Sequence, residues 1–441
     1  MNKVLFPTLA AALLASVPAA SLAKLSPAEA RIAANVEVNY EASVKLLQQL
    51  VDVNSGSMNF AGVEQIGRMM RAELEPLGFR VAWKPMAAAN RAGHIIATHV
   101  GKPGTKRLLL IGHLDTVFEK DSPFQKFVRR NDAGGDFGEG PGAGDDKGGM
   151  VVILMALKAM KAAGTLAGAN IEIVLTGDEE DSGDPIDVAR ADLISAGKRA
   201  DVALDFEGLV IENGRDMGSI ARRSSNSWTL TATGKAGHSS GIFSVTAGDG
   251  AIYELTRIVA AFRKELPERN LTFNVGLIAG GQSAAFDTDG VRATATGKSN
   301  IIPGIAIAKG DFRTLSEEQT ARVKAKMTTI VAAHAPLTGA EIKFESGGYP
   351  AMAPTDGNRA ILAALNGVNA DLGLPEMPPL DPLKRGAGDI SFVARDVSGL
   401  AGLGPSSKGD HAPGETVDLA SMKRQAKRAA ILMTRLAGKK R

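Results

Sequence analysis

Three short apolar runs, each ending in charged or metal-binding side chains, constrain the fold of this chain more than any other feature. They are Arg107-Leu-Leu-Leu-Ile-Gly-His-Leu-Asp115, Ile171-Glu-Ile-Val-Leu-Thr176 followed by Gly-Asp-Glu-Glu180, and Asp201-Val-Ala-Leu-Asp-Phe206 running into Glu207. Helical periodicity fills the gaps between them, from Met150 to about Ala162 and from Val188 to Ala196. Strands apolar on both faces and alternating with helices belong to a sheet covered on both sides. An α/β sheet of that kind places its site beyond the carboxyl ends of its strands, where all three polar bursts fall.

Between the first and second runs lies Gly138-Glu-Gly-Pro-Gly-Ala-Gly-Asp-Asp-Lys-Gly-Gly149, which leads straight into the Met150 helix. Asp145 and Asp146 therefore stand at a loop-to-helix junction, where unpaired backbone N–H groups stabilise anions. The glycines allow backbone conformations closed to other residues and a close approach to an ion. Alone, the stretch reads as a flexible loop capped by Asp. A phosphate-binding loop fits it badly, because Lys147 precedes Gly148 rather than Ser or Thr and two carboxylates would face the phosphates.

Residues Met1 to Ala23 have the pattern of a cleavable export signal: Lys3, an apolar stretch from Leu9 to Val17, and the small-residue segment Ser21-Leu-Ala23. The apolar stretch is too short for a membrane span, and the expected location is the periplasm or the medium. Removing 23 residues from 441 leaves 418, more than one ordinary core holds, so two domains are expected. With no cysteine, stability must come from packing. The net charge of +3, which falls to +2 without Lys3, argues against a nucleic-acid partner. The basic residues Lys423, Arg424, Lys427, Arg428 and Lys439 to Arg441 read as a solvated helix face and a frayed tail.

The pattern changes near residue 220. Ser227–Thr233 alternates like a half-buried strand, followed by a helix from about Gly248 to Lys264 and strands at Leu271–Ile278, Val291–Ala295 and Ala306–Phe312. A helix from Ser316 to His334 and a strand at Glu341–Phe344 complete a small α+β (ferredoxin-like) unit over 221–347. It is inserted between catalytic segments 24–220 and 348–441 of an α/β domain with a mixed sheet flanked by helices.

The strand ends collect His113, Asp115, Asp145, Glu179, Glu180, Glu207 and, from the last segment, His411. Two imidazoles and several carboxylates suit two zinc-like ions sharing one bridging acid. Such a pair can activate water and polarise a carbonyl, the chemistry of amide hydrolysis. Adjacent Glu179 and Glu180 point different ways, so one can bind metal while the other acts as base. Asp115 lies two residues beyond His113 on a strand and can hold its far ring nitrogen. Separately each piece has a plainer reading: a surface His-x-Asp pair, an acidic turn, an exposed loop histidine. Their joint placement at successive strand ends favours the metal centre.

Gly112-His-Leu-Asp-Thr-Val117, Gly144-Asp-Asp-Lys-Gly148, Thr176-Gly-Asp-Glu-Glu180, Phe206-Glu207 and Gly409-Asp-His411 resemble, in this order, the motifs of the M20 family of co-catalytic metallopeptidases. The similarity covers essentially the whole mature chain and lies nearest the glutamate carboxypeptidase-like branch. It implies that Asp145 bridges two zinc ions, or cobalt or manganese in their place, with a cis peptide after it. His113 and Glu207 would complete one shell, Glu180 and His411 the other. Glu179 would take the proton from the attacking water and pass it to the leaving amine, and Asp115 would orient His113. The inserted unit resembles the family's lid and dimerisation domain. His238, in Gly234-Lys-Ala-Gly-His-Ser239, would stabilise the oxyanion in a partner subunit's site, while Asn300 and Arg313 would hold the substrate carboxylate. Without the family, His238 would read as a surface-turn histidine.

Two departures bear on specificity. Gly347, Gly348 and Tyr349 stand where a second, glutamate-gripping arginine is expected before Pro350-Ala351, and Arg215 replaces an expected lysine in a loop that aligns poorly. The reading is an exported di-zinc carboxypeptidase, homodimeric through 221–347, cleaving an amide bond next to a free carboxylate in a small peptide. Within the family, an N-acyl-amino-acid amidohydrolase or dipeptidase is the alternative. Outside it, a periplasmic solute-binding protein shares the export signal and α/β pattern but needs neither Glu179 nor a metal cluster.

Overall fold

A computed structural model describes residues 25–132 and 134–441; the export-signal pattern lies outside them. The three apolar runs form neighbouring parallel strands. In the central six-stranded sheet the order is Arg80–Pro85, Gly93–His99, Asn170–Thr176, Arg107–His113, Val202–Asp205 and Gly399–Leu400. The first strand runs antiparallel to the second and the second to the third, while the remaining pairs are parallel, which makes the sheet mixed, as expected. Successive residues of one strand feed opposite layers. Leu108 and Leu110 pack into the larger core with the helices Pro27–Val38, Lys147–Ala163 and Leu419–Ala437, whereas Leu109 and Ile111 pack against Leu193, Ile390 and Val393. That two-sided burial is why the runs are apolar without alternation.

The helix Lys147–Ala163 is almost wholly buried, sandwiched between the sheet and the helices Pro27–Val38, Tyr40–Val51 and Leu419–Ala437. Ser26 caps the first of these through a reciprocal box with Glu29. The stretch from Ser26 to Val53, helical in pattern throughout, forms two helices broken at Asn39, whose side chain turns back to donate to the Asn35 carbonyl.

The basic helix face is not merely solvated, nor is the tail frayed. Arg428 is buried and pairs with Asp216, which also takes Arg424; Lys423 and Lys427 grip Glu37; and Arg435 bridges Glu29 and Asp371. Lys440 bridges to Thr105, and Arg441 pairs with Asp201 at 3.0 Å. These acids come from distant segments, so charge periodicity located the face without revealing what lay against it.

A second sheet, entirely antiparallel, has the order Thr272–Gly281, Ile305–Arg313, Asn226–Gly234 and Thr338–Phe344. The helices Ala251–Glu265 and Glu317–Ala332 pack on it, around a separate core that includes Trp228, Leu255, Phe262, Phe312 and Met327. The expected strand near Val291–Ala295 is Ala293–Thr296, and it pairs with Ser283–Phe286 in a small hairpin outside this sheet. No helix among the described residues is long and apolar enough to cross a membrane.

Candidate metal centre

His113 ends the middle parallel strand, in register with Thr176 on its neighbour. Glu179 and Glu180 follow that neighbour, and Glu207 follows the strand on the other side. The glycine-rich loop delivers Asp145 to the same edge, immediately before the helix at Lys147. Two of its glycines are required by geometry. Gly142 has φ +70°, and a Cβ on Gly144 would stand 2.3 Å from the Ser407 side chain. The N–H groups of Gly144 and Asp145 donate to Glu415 Oε1 at 2.8 and 3.1 Å. The Asp145–Asp146 peptide is cis. Lys147 is buried, donates to the Val53 carbonyl at 2.9 Å and has its pKa pushed down to about 7 by burial. Its ammonium is bonded to that carbonyl and buried, which leaves it unavailable to a phosphate.

Asp145 sits between the two imidazoles. Its Oδ1 lies 3.1 Å from His113 Nε2 and its Oδ2 lies 3.1 Å from His411 Nε2. His411 Nε2 is also 3.2 Å from Glu180 Oε2. Donor atoms of His113, Asp145 and Glu180 all lie within 4.8 Å of one another and form a possible metal site. The surrounding carboxylates favour the charged rings. Burial alone would lower the His113 pKa, but Asp115 and Asp145 raise it well above its usual value, and Asp145 and Glu180 raise that of His411 to about 11. Sites that hold protons this firmly between acids are sites where a divalent ion competes for the same nitrogens.

Glu207 is held differently from the expected ligand pair. Its Oε2 takes Arg222 Nη1 at 2.5 Å and Arg385 Nη2 at 3.3 Å, while Oε1 is buried with no hydrogen-bond partner. Among the described residues it stands outside the His113–Asp145–Glu180 trio, with one free oxygen to offer. Two imidazoles, a carboxylate between them, Glu180 and this orphaned oxygen fit a pair of borderline divalent ions.

Asp115 does more than was expected of it. Fully buried, it places Oδ1 3.4 Å from His113 Nδ1 and accepts the Glu179 N–H on the same oxygen at 3.1 Å. Its Oδ2 accepts from the Glu180 N–H at 3.1 Å and from Ser57 Oγ at 2.6 Å. Asp115 thus orients both members of the acidic pair through its carboxylate, and His113 also through its own carbonyl, which accepts from Nδ1 at 3.1 Å. The Glu179 carboxylate itself takes no hydrogen bond among the described residues, and burial and then the charge of Glu207 push its pKa well above the usual range.

The inserted unit contributes less to this cluster. His238 is exposed, hydrogen-bonded to Ser240 at 2.8 Å, and paired across a short ladder with Ile301. Asn300, also exposed, accepts the Ser239 N–H on its carbonyl at 3.0 Å, so His238 and Asn300 are neighbours on the inserted unit, with no hydrogen bond to the metal cluster among the described residues. Arg313 ends its strand beside the Gly386 loop, where a Cβ on Gly386 would lie 3.5 Å from its Nη1. Carbonyls of that loop, at Gly386 and Ala387, accept from Arg222. Arg215 lies on an exposed hairpin and donates to the Glu376 carbonyl.

Arg222, Arg385, Glu415 and Tyr349 were not singled out as contributors from sequence. No local pattern marks them, because each acts on a partner brought near only by the fold. Arg190 and Asp178 belong with them: Arg190 is fully buried, bonded to Asp178 at 2.6 Å and Asp389 at 2.8 Å, and braces the acidic loop.

Comparison with known proteins agrees with this geometry. The chain is 29% identical over 417 residues to carboxypeptidase G2 of Pseudomonas sp. (strain RS-16), covering 90% of each. It is 25% identical over 396 residues to a succinyl-diaminopimelate desuccinylase of Variovorax paradoxus, covering 86% of this chain and 94% of the relative. Among solved structures, a tripeptidase from Staphylococcus aureus matches with a TM-score of 0.67 at 18% identity, covering 91% and 99%. A dinuclear metal-binding M20 peptidase from Bacillus subtilis matches at 0.61 and 16% identity, covering 90% and 98%. The match to a peptidase family model removes the solute-binding alternative. The model of peptidase family M20/M25/M40 matches residues 109–435, the span that carries every residue of the metal cluster, and the chain belongs to that family.

Proposed function

We propose that this chain is an exported di-zinc hydrolase that cleaves an amide bond next to a free carboxylate, acting as a carboxypeptidase on small peptides. The observation that carries the reading is Asp145, whose two carboxylate oxygens each face a different histidine at 3.1 Å. His113, Asp145, Glu180, Glu207 and His411 would hold the ions. When bound, two such ions supply Lewis acidity and lower the pKa of water. Glu179, with a carboxylate free of hydrogen bonds and a backbone fixed by Asp115, removes a proton from the attacking water and returns it to the leaving amine. Arg313, beside the Gly386 loop, supplies a guanidinium for the substrate carboxylate.

Export to the periplasm or medium rests on the pattern of residues 1–23. Dimerisation through 221–347 is supported by apolar side chains exposed on that unit, among them Phe243, Val245 and Tyr253. Within the family, an acyl-amino-acid amidohydrolase remains a second reading, favoured by the 25% identity to desuccinylases and by Tyr349 standing where an arginine clamp is expected.

The deciding experiment is turnover of the zinc-loaded protein on a panel of dipeptides, their C-terminal amides and N-acyl amino acids. Cleavage that requires a free C-terminal carboxylate supports the carboxypeptidase. Cleavage of acyl-amino acids alone moves the chain to the second reading, and no cleavage of either class overturns both.

A further inference from the structure

The two connections between the inserted unit and the catalytic domain run side by side. Arg222 and Met352 exchange backbone hydrogen bonds at 3.0 and 2.9 Å, as do Ser225 and Tyr349. Each connection sends one side chain into the acidic cluster: Arg222 reaches Glu207, and Tyr349 reaches the loop carrying Glu179. The Tyr349 hydroxyl lies 2.9 Å from the Glu179 carbonyl, 2.8 Å from Arg190 Nη2 and 2.9 Å from Ser182 Oγ. A phenol has one proton to give. Arg190 can only donate to it and Ser182 can donate as well, so the phenolic proton goes to the Glu179 carbonyl. The ring is fixed edge-on against Phe392, with centroids 4.8 Å apart.

Glu179 is therefore gripped through its backbone from two sides, its N–H by Asp115 and its C=O by Tyr349, while its carboxylate stays unbonded. We infer that Tyr349 is a positioning residue for Glu179, using the second connection of the inserted unit to fix the peptide from which the base projects. The inference rests on the proposed role of Glu179 as that base. It also accounts for a tyrosine at this position: the side chain is spent on the acidic loop rather than on substrate. That connection and the base then form one mechanical unit, since a shift of residues 349–352 pulls directly on the Glu179 carbonyl.

Tyr349→Phe keeps the ring against Phe392 and removes only the hydroxyl. In the zinc-loaded protein, kcat on the best substrate of the panel should fall about 10- to 100-fold, with KM within about threefold and metal content unchanged, as expected for a displaced base. Replacing Tyr349 by 4-aminophenylalanine restores an N–H donor at the same place and should recover most of that loss. Ser182→Ala leaves the bond to Glu179 in place and should stay within about threefold of the parent. Unchanged kcat in Tyr349→Phe overturns the inference. So does an aminophenylalanine protein that binds metal and folds but is as slow as the phenylalanine protein; should the latter not fold, the aminophenylalanine protein is judged against the parent, and a loss of about tenfold or more refutes the inference. Glu179→Gln separates the two levels. If it turns over normally, the base assignment fails; if it is inactive while Tyr349→Phe is normal, only the positioning role fails.

Discussion

Asp115→Asn isolates the carboxylate on which the cluster hangs. Both oxygens of Asp115 accept a backbone N–H, from Glu179 on Oδ1 and from Glu180 on Oδ2, each at 3.1 Å. An amide keeps only one acceptor oxygen. Whichever way the substituted side chain is turned, its NH2 group faces one of those N–H groups, donor against donor. If the NH2 turns toward Ser57, the hydroxyl can rotate and accept, but the Glu180 N–H is stranded. If it turns toward His113, it faces a ring nitrogen that already donates to the Asp115 carbonyl, and the Glu179 N–H is stranded. The loss is one hydrogen bond to a charged group, about 1.5–3 kcal/mol, plus a buried N–H without a partner, about 1–3 kcal/mol. Together that is at most about 2.5–6 kcal/mol against folding, of the order seen when one member of a buried charged network is removed. His113 also loses the anion beside its Nδ1, which should weaken metal binding about 10- to 100-fold. Urea unfolding with metal chelated reads the first quantity, and metal titration of the folded protein reads the second. Parent-like values in both would show that Asp115 holds neither the acidic loop nor the ligand.

The other predictions concern the reaction and the assembly. Glu179→Gln should retain metal and fold while kcat falls by about 10²- to 10⁴-fold, the usual contribution of a positioned base; metal analysis and single-turnover kinetics check it. Removing metal with a chelator should abolish turnover and lower the unfolding midpoint, and free metal at about 1,000 times its dissociation constant should restore about 4 kcal/mol of stability. An unfolding midpoint indifferent to metal would contradict the assigned ligands. His238→Ala should lower kcat more than metal content, and mixing it with Glu179→Gln should recover activity if each site is completed by a partner's lid. Verified mixed dimers without recovery would confine His238 to its own surface turn.

What could be read from the sequence was what lies at the ends of strands. Apolar runs announce a strand buried on both faces, and the residue that ends one is placed by the sheet itself, so His113, the Glu179–Glu180 pair and Glu207 were located by position alone. Asp145 and His411 lie in loops, where no period runs, and only their company with the strand-end residues marked them. The supporting residues carry no such signal. Glu415 holds the amide of Gly144 across 271 residues, and Tyr349 holds Glu179 across 170. The sequence around each looks like ordinary loop or hinge. The terminal helix shows the same limit: Lys423, Arg424 and Arg428 form a charged stripe whose partners, Glu37 and Asp216, lie hundreds of residues away. Position along a strand determines which groups reach the site. The geometry in which they are held depends on contacts such as those of Asp115, Arg222 and Tyr349, which join segments far apart in the chain. Substitutions at the supporting residues should therefore change rate or metal affinity while leaving the site's own side chains intact.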